Sequence, residues 1–119
     1  DWLPTIAHWC DVDPPQRKID GCNIAPMIAS GQAPSPHQAL YWGTGGRNGQ
    51  RAVRQGDWKL VLNGPASTFE GRKIEKEKVF LSNLSSDLSE SKNLAQKHPE
   101  VVERLSNLHE QWASEVTEQ

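Results

Sequence analysis

Hydrophobic and polar residues alternate through the middle of the chain. Between positions 58 and 62, large apolar side chains recur at every second position, a spacing typical of a β-strand with one buried face. These side chains are Trp58, Leu60 and Leu62. Gln55-Gly56 suits a two-residue turn before this strand, because glycine accepts the positive φ that such turns require. We therefore predict a β-hairpin over 51–62.

Further strands are predicted on both sides of this hairpin. Over positions 38–42 the side chains alternate between two faces of a strand, with Leu40 and Trp42 on the same face. A short apolar run over 79–81 predicts another strand. The intervening segment 63–78 mixes glycine, proline, lysine and glutamate, which favours a long solvated loop.

A glycine-rich segment over 43–49 raises the question of phosphate binding. It lacks the Gly-Lys-Ser/Thr of a phosphate-binding loop, and Asn48 stands where a dinucleotide-binding turn needs its third glycine. We interpret the segment as a mobile connection between adjacent strands. Its Arg47 is either a solvated loop arginine or a guanidinium that faces an anionic ligand.

Helical spacing occurs at both ends of the chain. A first helix follows Asp1, a residue type favoured at N-caps, and ends before Pro14-Pro15. A second helix of one or two turns lies within 23–29, and the last begins at His98-Pro99. One face of the last helix is apolar through Val101, Leu105, Leu108, Trp112 and Val116.

Together these elements predict an α+β fold. It consists of a small antiparallel sheet of about four strands, a C-terminal amphipathic helix packed on the sheet, and short N-terminal helices. We divide the chain into an N-terminal helical and loop segment over 1–36 and a domain over 37–119 that contains the sheet and the last helix.

Composition narrows the classes of partner. A chain of 119 residues with 35% hydrophobic residues suits one small core. The net charge of −2 and the pI of about 6.1 give no broad cationic surface, so we expect no nucleic acid or membrane partner. No apolar run approaches the roughly 20 residues that cross a bilayer. The opening residues lack the features of a signal peptide, which we interpret as a cut within a longer protein.

Five tryptophans are many for a chain with a mean hydropathy of −0.70. We assign Trp9, Trp58 and Trp112 to core packing, where their large apolar area is most useful. For Trp42 two interpretations stay open, the core or a sugar or aryl site.

The two cysteines, Cys10 and Cys22, are either free thiols or a local disulfide. A cluster of His8, Cys10, Asp11 and Asp13 lacks the paired spacing of a zinc site, so we expect it at a helix end and predict no metal site.

Several short motifs occur in an order similar to that in the C-terminal region of the formylglycine-dependent, arylsulfatase-like sulfatases of the alkaline phosphatase superfamily. They span nearly the whole chain. The motifs are Asp1-x-Leu3-Pro4-Thr5, Asp20-Gly21, Tyr41-Trp42, Arg51-Ala-Val-Arg54 with Gly56-Asp-Trp-Lys-Leu60, and Leu81-x-x-Leu84-x-x-Asp87-x-x-Glu90-x-x-Asn93-Leu94-Ala95. Ser82, Asn83 and Leu88 depart from the family pattern, at the last strand and its turn.

The resemblance implies that the intact protein hydrolyses sulfate esters. In the family, a Cys or Ser in a C/S-x-P-x-R motif becomes the formylglycine nucleophile, and a divalent metal, usually calcium, stabilises oxygen charge. Neither Cys10 nor Cys22 begins that motif. The resemblance therefore assigns no catalytic residue, metal ligand or cofactor to this chain. It implies that calcium and formylglycine belong to a missing N-terminal catalytic domain, the expected partner of this chain.

On this basis we expect a non-catalytic C-terminal fragment that supports the catalytic domain and shapes the substrate entrance, inactive alone. The resemblance makes Trp42 and Arg47 candidates for substrate contact at the rim of the site, and it implies an exported parent with its signal upstream. Two alternatives remain, an autonomous carbohydrate-binding module and a protein-interaction module.

Overall fold

The computed structural model describes residues 1–44, 49–64 and 77–117. Their elements are α1 (Trp2–Trp9), α2 (Ala25–Ser30), β1 (Leu40–Gly43), β2 (Arg51–Gln55), β3 (Trp58–Gly64), β4 (Glu77–Asn83) and α3 (Pro99–Thr117). The antiparallel sheet, the C-terminal helix and the short N-terminal helices confirm the predicted α+β fold. The chain divides into two compact units, Asp1–Gln38 and Ala39–Gln119.

The second unit contains a four-stranded antiparallel sheet in the order β1-β2-β3-β4. Gln55 pairs with Trp58, so the turn between β2 and β3 consists of Gly56-Asp57 rather than the predicted Gln55-Gly56. Gly56 takes a φ of 57°, a left-handed conformation that glycine adopts without steric cost. The hairpin is therefore confirmed, and its turn lies one residue later than the sequence suggested.

One face of the sheet packs against α3. Its core consists of Val53, Leu60 and Leu81 from the strands with Val101 and Leu105 from the helix. Val53, Leu60 and Leu81 are partners across three neighbouring strands, and Val101 and Leu105 are four residues apart on the helix, so the sheet and the helix each present one apolar face. Burial of each such side chain contributes about 1.5–3 kcal/mol, which is why the helix stays on the sheet.

The edge strand β1 is held to α3 by aromatic side chains. Tyr41 stacks on Trp112 with ring centroids 5.1 Å apart. His109 is buried and its Nε2 donates to the Trp42 carbonyl at 3.3 Å. These contacts fix the backbone of β1. Trp112 is half-buried and packs on Tyr41, which itself contacts the core. Trp58 also packs against the core, as predicted.

The first unit is organised around Asp1 and Thr5. Asp1 makes no side-chain capping bond to α1, and its carboxylate instead accepts the Cys22 N–H at 2.9 Å and contacts His37 Nε2 at 2.7 Å. The buried Thr5 hydroxyl donates to the Asp1 carbonyl and accepts the Ile24 N–H. Asp1 thus ties distant loops together, a role beyond the predicted N-cap.

Glycine at position 21 permits this close approach. A Cβ at Gly21 would lie 2.7 Å from the Asp1 nitrogen, well inside van der Waals contact.

The second helix ends as predicted, at Gly31 with a left-handed φ of 64°. None of the described helices is long and apolar enough to cross a membrane.

Two predictions about segment boundaries require correction. Asn63 and Gly64 still belong to β3, and the last strand begins at Glu77, earlier than predicted. The remainder of the predicted loop over 63–78 lies outside the described residues.

Candidate functional site

The face of the sheet opposite α3 presents a mixed apolar and basic surface. Strand register places Trp42, Ala52 and Val61 in one row across three strands. The adjacent row contains Leu40, Arg54 and Lys59. Because side chains alternate along a strand, both rows point away from α3. We call this the open face.

A groove of about 590 Å³ lies on the open face. Its volume falls within the range of about 300–1,000 Å³ typical of sites for small ligands. The residues that line it are Trp42, Thr44, Gln50, Arg51, Ala52, Arg54, Lys59, Val61, Gly64, Leu84, Leu88 and Glu90. All of them lie in the second unit, and we call this the open-face groove.

Trp42 lines one part of the groove and is 49% exposed. The structure therefore places it outside the core, which leaves its large indole face available to a ligand. Arg47, the other sequence candidate, lies outside the described residues, so its predicted rim position stays a prediction.

The basic side chains of the groove differ in their partners. Lys59 Nζ contacts Glu90 Oε1 at 2.6 Å, which neutralises the acidic residue of the groove. Arg54 Nε donates to the Gly56 carbonyl at 3.1 Å. Arg51 Nε is buried and makes no hydrogen bond to any described residue. No ion pair within the described chain uses Arg51 or Arg54, so both retain their positive charge for an anion.

The segment after β4 supplies Glu90 and is held by side-chain hydrogen bonds. Asn93 Oδ1 accepts the Leu81 N–H at 3.1 Å, and its Nδ2 donates to the Val79 carbonyl at 3.0 Å. Together with the Leu94 N–H, which donates to the Leu81 carbonyl at 2.8 Å, the Asn93 side chain holds this segment along the edge of β4. This contact positions the segment beside the groove.

Asp87 organises the turn within the same segment. Desolvation opposes ionisation of this carboxylate, but hydrogen bonds from Ser89, Lys92 and Ser91 outweigh it and lower the pKa of Asp87. The Lys92 N–H and the Ser89 hydroxyl each lie 2.9 Å from a carboxylate oxygen. The ionised form is therefore part of the folded turn.

No group of three or more potential metal ligands converges anywhere in 1–44, 49–64 or 77–117. The predicted helix-end cluster forms no such group. Cys10 and Cys22 are both free thiols. What the open-face groove offers a ligand is the indole of Trp42 and the guanidinium of Arg54.

A second exposed apolar surface occurs on α1. Trp2, Ile6 and Trp9 recur at the helical spacing of four and three residues, and each is at least half exposed. At 54% exposure, Trp9 contradicts its predicted core position. Large exposed tryptophans that recur on one side of a helix are characteristic of an interaction surface. We call these residues the α1 stripe.

Sequence reasoning missed the basic residues of the groove. Arg51, Arg54 and Lys59 all stand in the hairpin that the sequence identified, but their apolar neighbours dominated the pattern. For Arg54 and Lys59 the signal was the second set of alternating positions, because residues between core positions must share the opposite face. Arg51 instead shares its side of β2 with the core residue Val53.

No family model matches the chain. Among curated proteins, an uncharacterized sulfatase of Schizosaccharomyces pombe is 33% identical to it. The match covers 94% of this chain and 20% of that protein. The chain therefore spans about a fifth of the length of this relative.

Solved structures share the fold. A Bacteroides thetaiotaomicron protein with the suffix 6S-sulf, from work on the metabolism of multiple glycosaminoglycans, matches with a TM-score of 0.65 and 26% identity, over 92% of this chain and 23% of that one. BT4656, in complex with its substrate D-glucosamine-2-N,6-O-disulfate, matches with a TM-score of 0.65 and 17% identity, over 98% of this chain and 24% of its own. At that identity the second likeness concerns the fold.

Proposed function

Because this chain is a sulfatase homologue that matches one part of its relatives, we propose that it acts as a non-catalytic C-terminal subdomain within a longer sulfatase. Its role is to support the catalytic domain and to shape the entrance through which a sulfate ester reaches the nucleophile. The parent protein is proposed to be exported and to carry calcium and formylglycine in its catalytic domain.

The observation that carries this proposal is the α1 stripe. Trp2 and Trp9 are 62% and 54% exposed, and Ile6 lies between them on the same side of the helix. Exposure of this much apolar surface is unfavourable, since burial contributes about 25 cal/mol per Å². The relatives are four to five times longer than the matched region, so they contain further chain that could cover such a stripe.

The chemistry of the chain is consistent with a supporting role. It contains no C/S-x-P-x-R sequence, and the described residues bring together no metal-binding group. Sulfate-ester hydrolysis in the family pairs a formylglycine nucleophile with a bound metal ion, and the described residues provide neither the nucleophile sequence nor the metal ligands. The substrate class is proposed to be a sulfated sugar, because the 26%-identical relative comes from glycosaminoglycan metabolism.

Photo-crosslinking in the gene product that contains this chain tests the proposal. A benzophenone amino acid replaces Trp9, and in a matched control it replaces the exposed Asn107 on α3. We expect position 9 to crosslink to residues outside these 119, with much weaker crosslinking from position 107. A gene product without further residues, or crosslinks from position 9 confined to this chain, would overturn the proposal.

A further inference from the structure

We propose that the open-face groove binds a sulfated saccharide, with the sugar ring stacked on Trp42 and the sulfate bound by Arg54. This inference rests on the proposed function, because it identifies the part of the chain that holds the substrate class named there. It assigns a binding role to residues of β1 and β2 that face away from α3.

The shape of the groove suits a flat ring. Ala52 lies between Trp42 and the buried Val61 in the same cross-strand row, and its single methyl group is the smallest side chain of that row. Trp42, Leu84 and Leu88 also line the groove. A sugar ring has one apolar face, which an exposed indole can cover while its N–H donates to a hydroxyl.

The charge of the groove favours an anion. Arg51, Arg54, Lys59 and Glu90 all line it, and the Lys59–Glu90 contact cancels the negative charge. The Arg54 guanidinium remains on the open face, with no carboxylate partner in the described chain. Arg51 also lines the groove, although its position two residues before Val53 places it on the α3 side of β2. A guanidinium binds a tetrahedral oxyanion through parallel N–H donors and binds it more tightly than a neutral hydroxyl. The groove is therefore complementary to a sugar that carries sulfate.

Both proposed contacts stand on fixed backbone. The Trp42 carbonyl accepts from the buried His109, and the neighbouring Tyr41 stacks on Trp112. On the next strand, Arg54 Nε is held by the Gly56 carbonyl, which leaves its terminal nitrogens for a ligand. Anchoring of this kind reduces the conformational entropy lost on binding.

Calorimetric titration of the 119-residue chain with glucosamine 6-sulfate tests the inference, with glucosamine and inorganic sulfate as reference ligands. We expect saturable binding of the sulfated sugar and a ligand-dependent shift of the Trp42 indole resonance. Trp42→Ala and Arg54→Gln should each weaken binding by about tenfold. The exposed Trp9→Ala and Arg17→Gln variants, which change the same residue types outside the groove, should bind as the unmodified chain does.

Three results would overturn the inference. They are no saturable binding at millimolar glucosamine 6-sulfate, equal affinity for glucosamine, and an affinity that Trp42→Ala leaves unchanged while its unfolding curve stays normal. If polyglutamate shifts the Trp42 resonance and the sugar does not, the groove takes an acidic polypeptide and the saccharide is excluded. None of these results affects the crosslinking from position 9, so failure of the groove and failure of the proposed function are distinguishable.

Discussion

The ring of Tyr41 lies parallel to that of Trp112, with an interplanar angle of 3° and centroids 5.1 Å apart. This stack joins the edge strand β1 to α3 and places the next residue, Trp42, on the opposite face of the sheet. Successive residues of one strand thus serve separate purposes, since Tyr41 stabilises the fold and Trp42 remains available on the open face.

We expect Trp112→Ala to destabilise the second unit by about 2–3 kcal/mol, because it removes the stack on Tyr41 and the edge contact with His109. Urea unfolding monitored by circular dichroism measures the loss. Trp9→Ala serves as control, since that side chain is exposed on α1, and its effect should stay within about 0.5 kcal/mol. Similar losses in both variants would contradict a specific role for the stack.

A matched pair of leucines tests whether α3 packs on the sheet. Leu105 is fully buried against the sheet, whereas Leu88 is 83% exposed. Leu105→Ala should cost about 3 kcal/mol through lost burial and a residual cavity, while Leu88→Ala should change stability by less than about 0.5 kcal/mol. Chemical denaturation of the two variants compares them. An equal cost for both would show that α3 does not pack as described.

The turn around Asp87 predicts a dependence on pH. Hydrogen bonds hold the pKa of Asp87 below its ordinary value of 3.8, so the folded turn favours the carboxylate. The resulting stabilisation is present above pH 3.8 and disappears as the pH falls through the lower folded-state pKa. Asp87→Asn should therefore be less stable than the unmodified chain near neutral pH, and the difference should shrink in acid. Unfolding curves across that range measure it, and a difference that is constant or grows in acid would refute the assignment.

Periodicity made the sheet and the last helix predictable. Trp58, Leu60 and Leu62 repeat at the strand spacing, and Val101 and Leu105 repeat at the helix spacing, so local pattern and tertiary packing agree. The turn was displaced by one residue because glycine suits more than one turn position, and only the pairing of Gln55 with Trp58 fixes it.

Features that depend on distant residues could not be predicted in the same way. The Asp1 carboxylate bonds to Cys22 and His37, which are 21 and 36 positions away. The groove similarly requires the register of three strands to bring Trp42, Ala52 and Val61 into one row. Trp9 was assigned to the core because tryptophan is usually buried, and on α1 it is exposed instead.

The separation of binding from catalysis is tested by sulfate release from the 119-residue chain, incubated with an aryl sulfate and added calcium. We predict no release above the uncatalysed rate, since the chain has no C/S-x-P-x-R nucleophile sequence. Measurable turnover that is abolished by a metal chelator would contradict this prediction and assign catalysis to the chain itself.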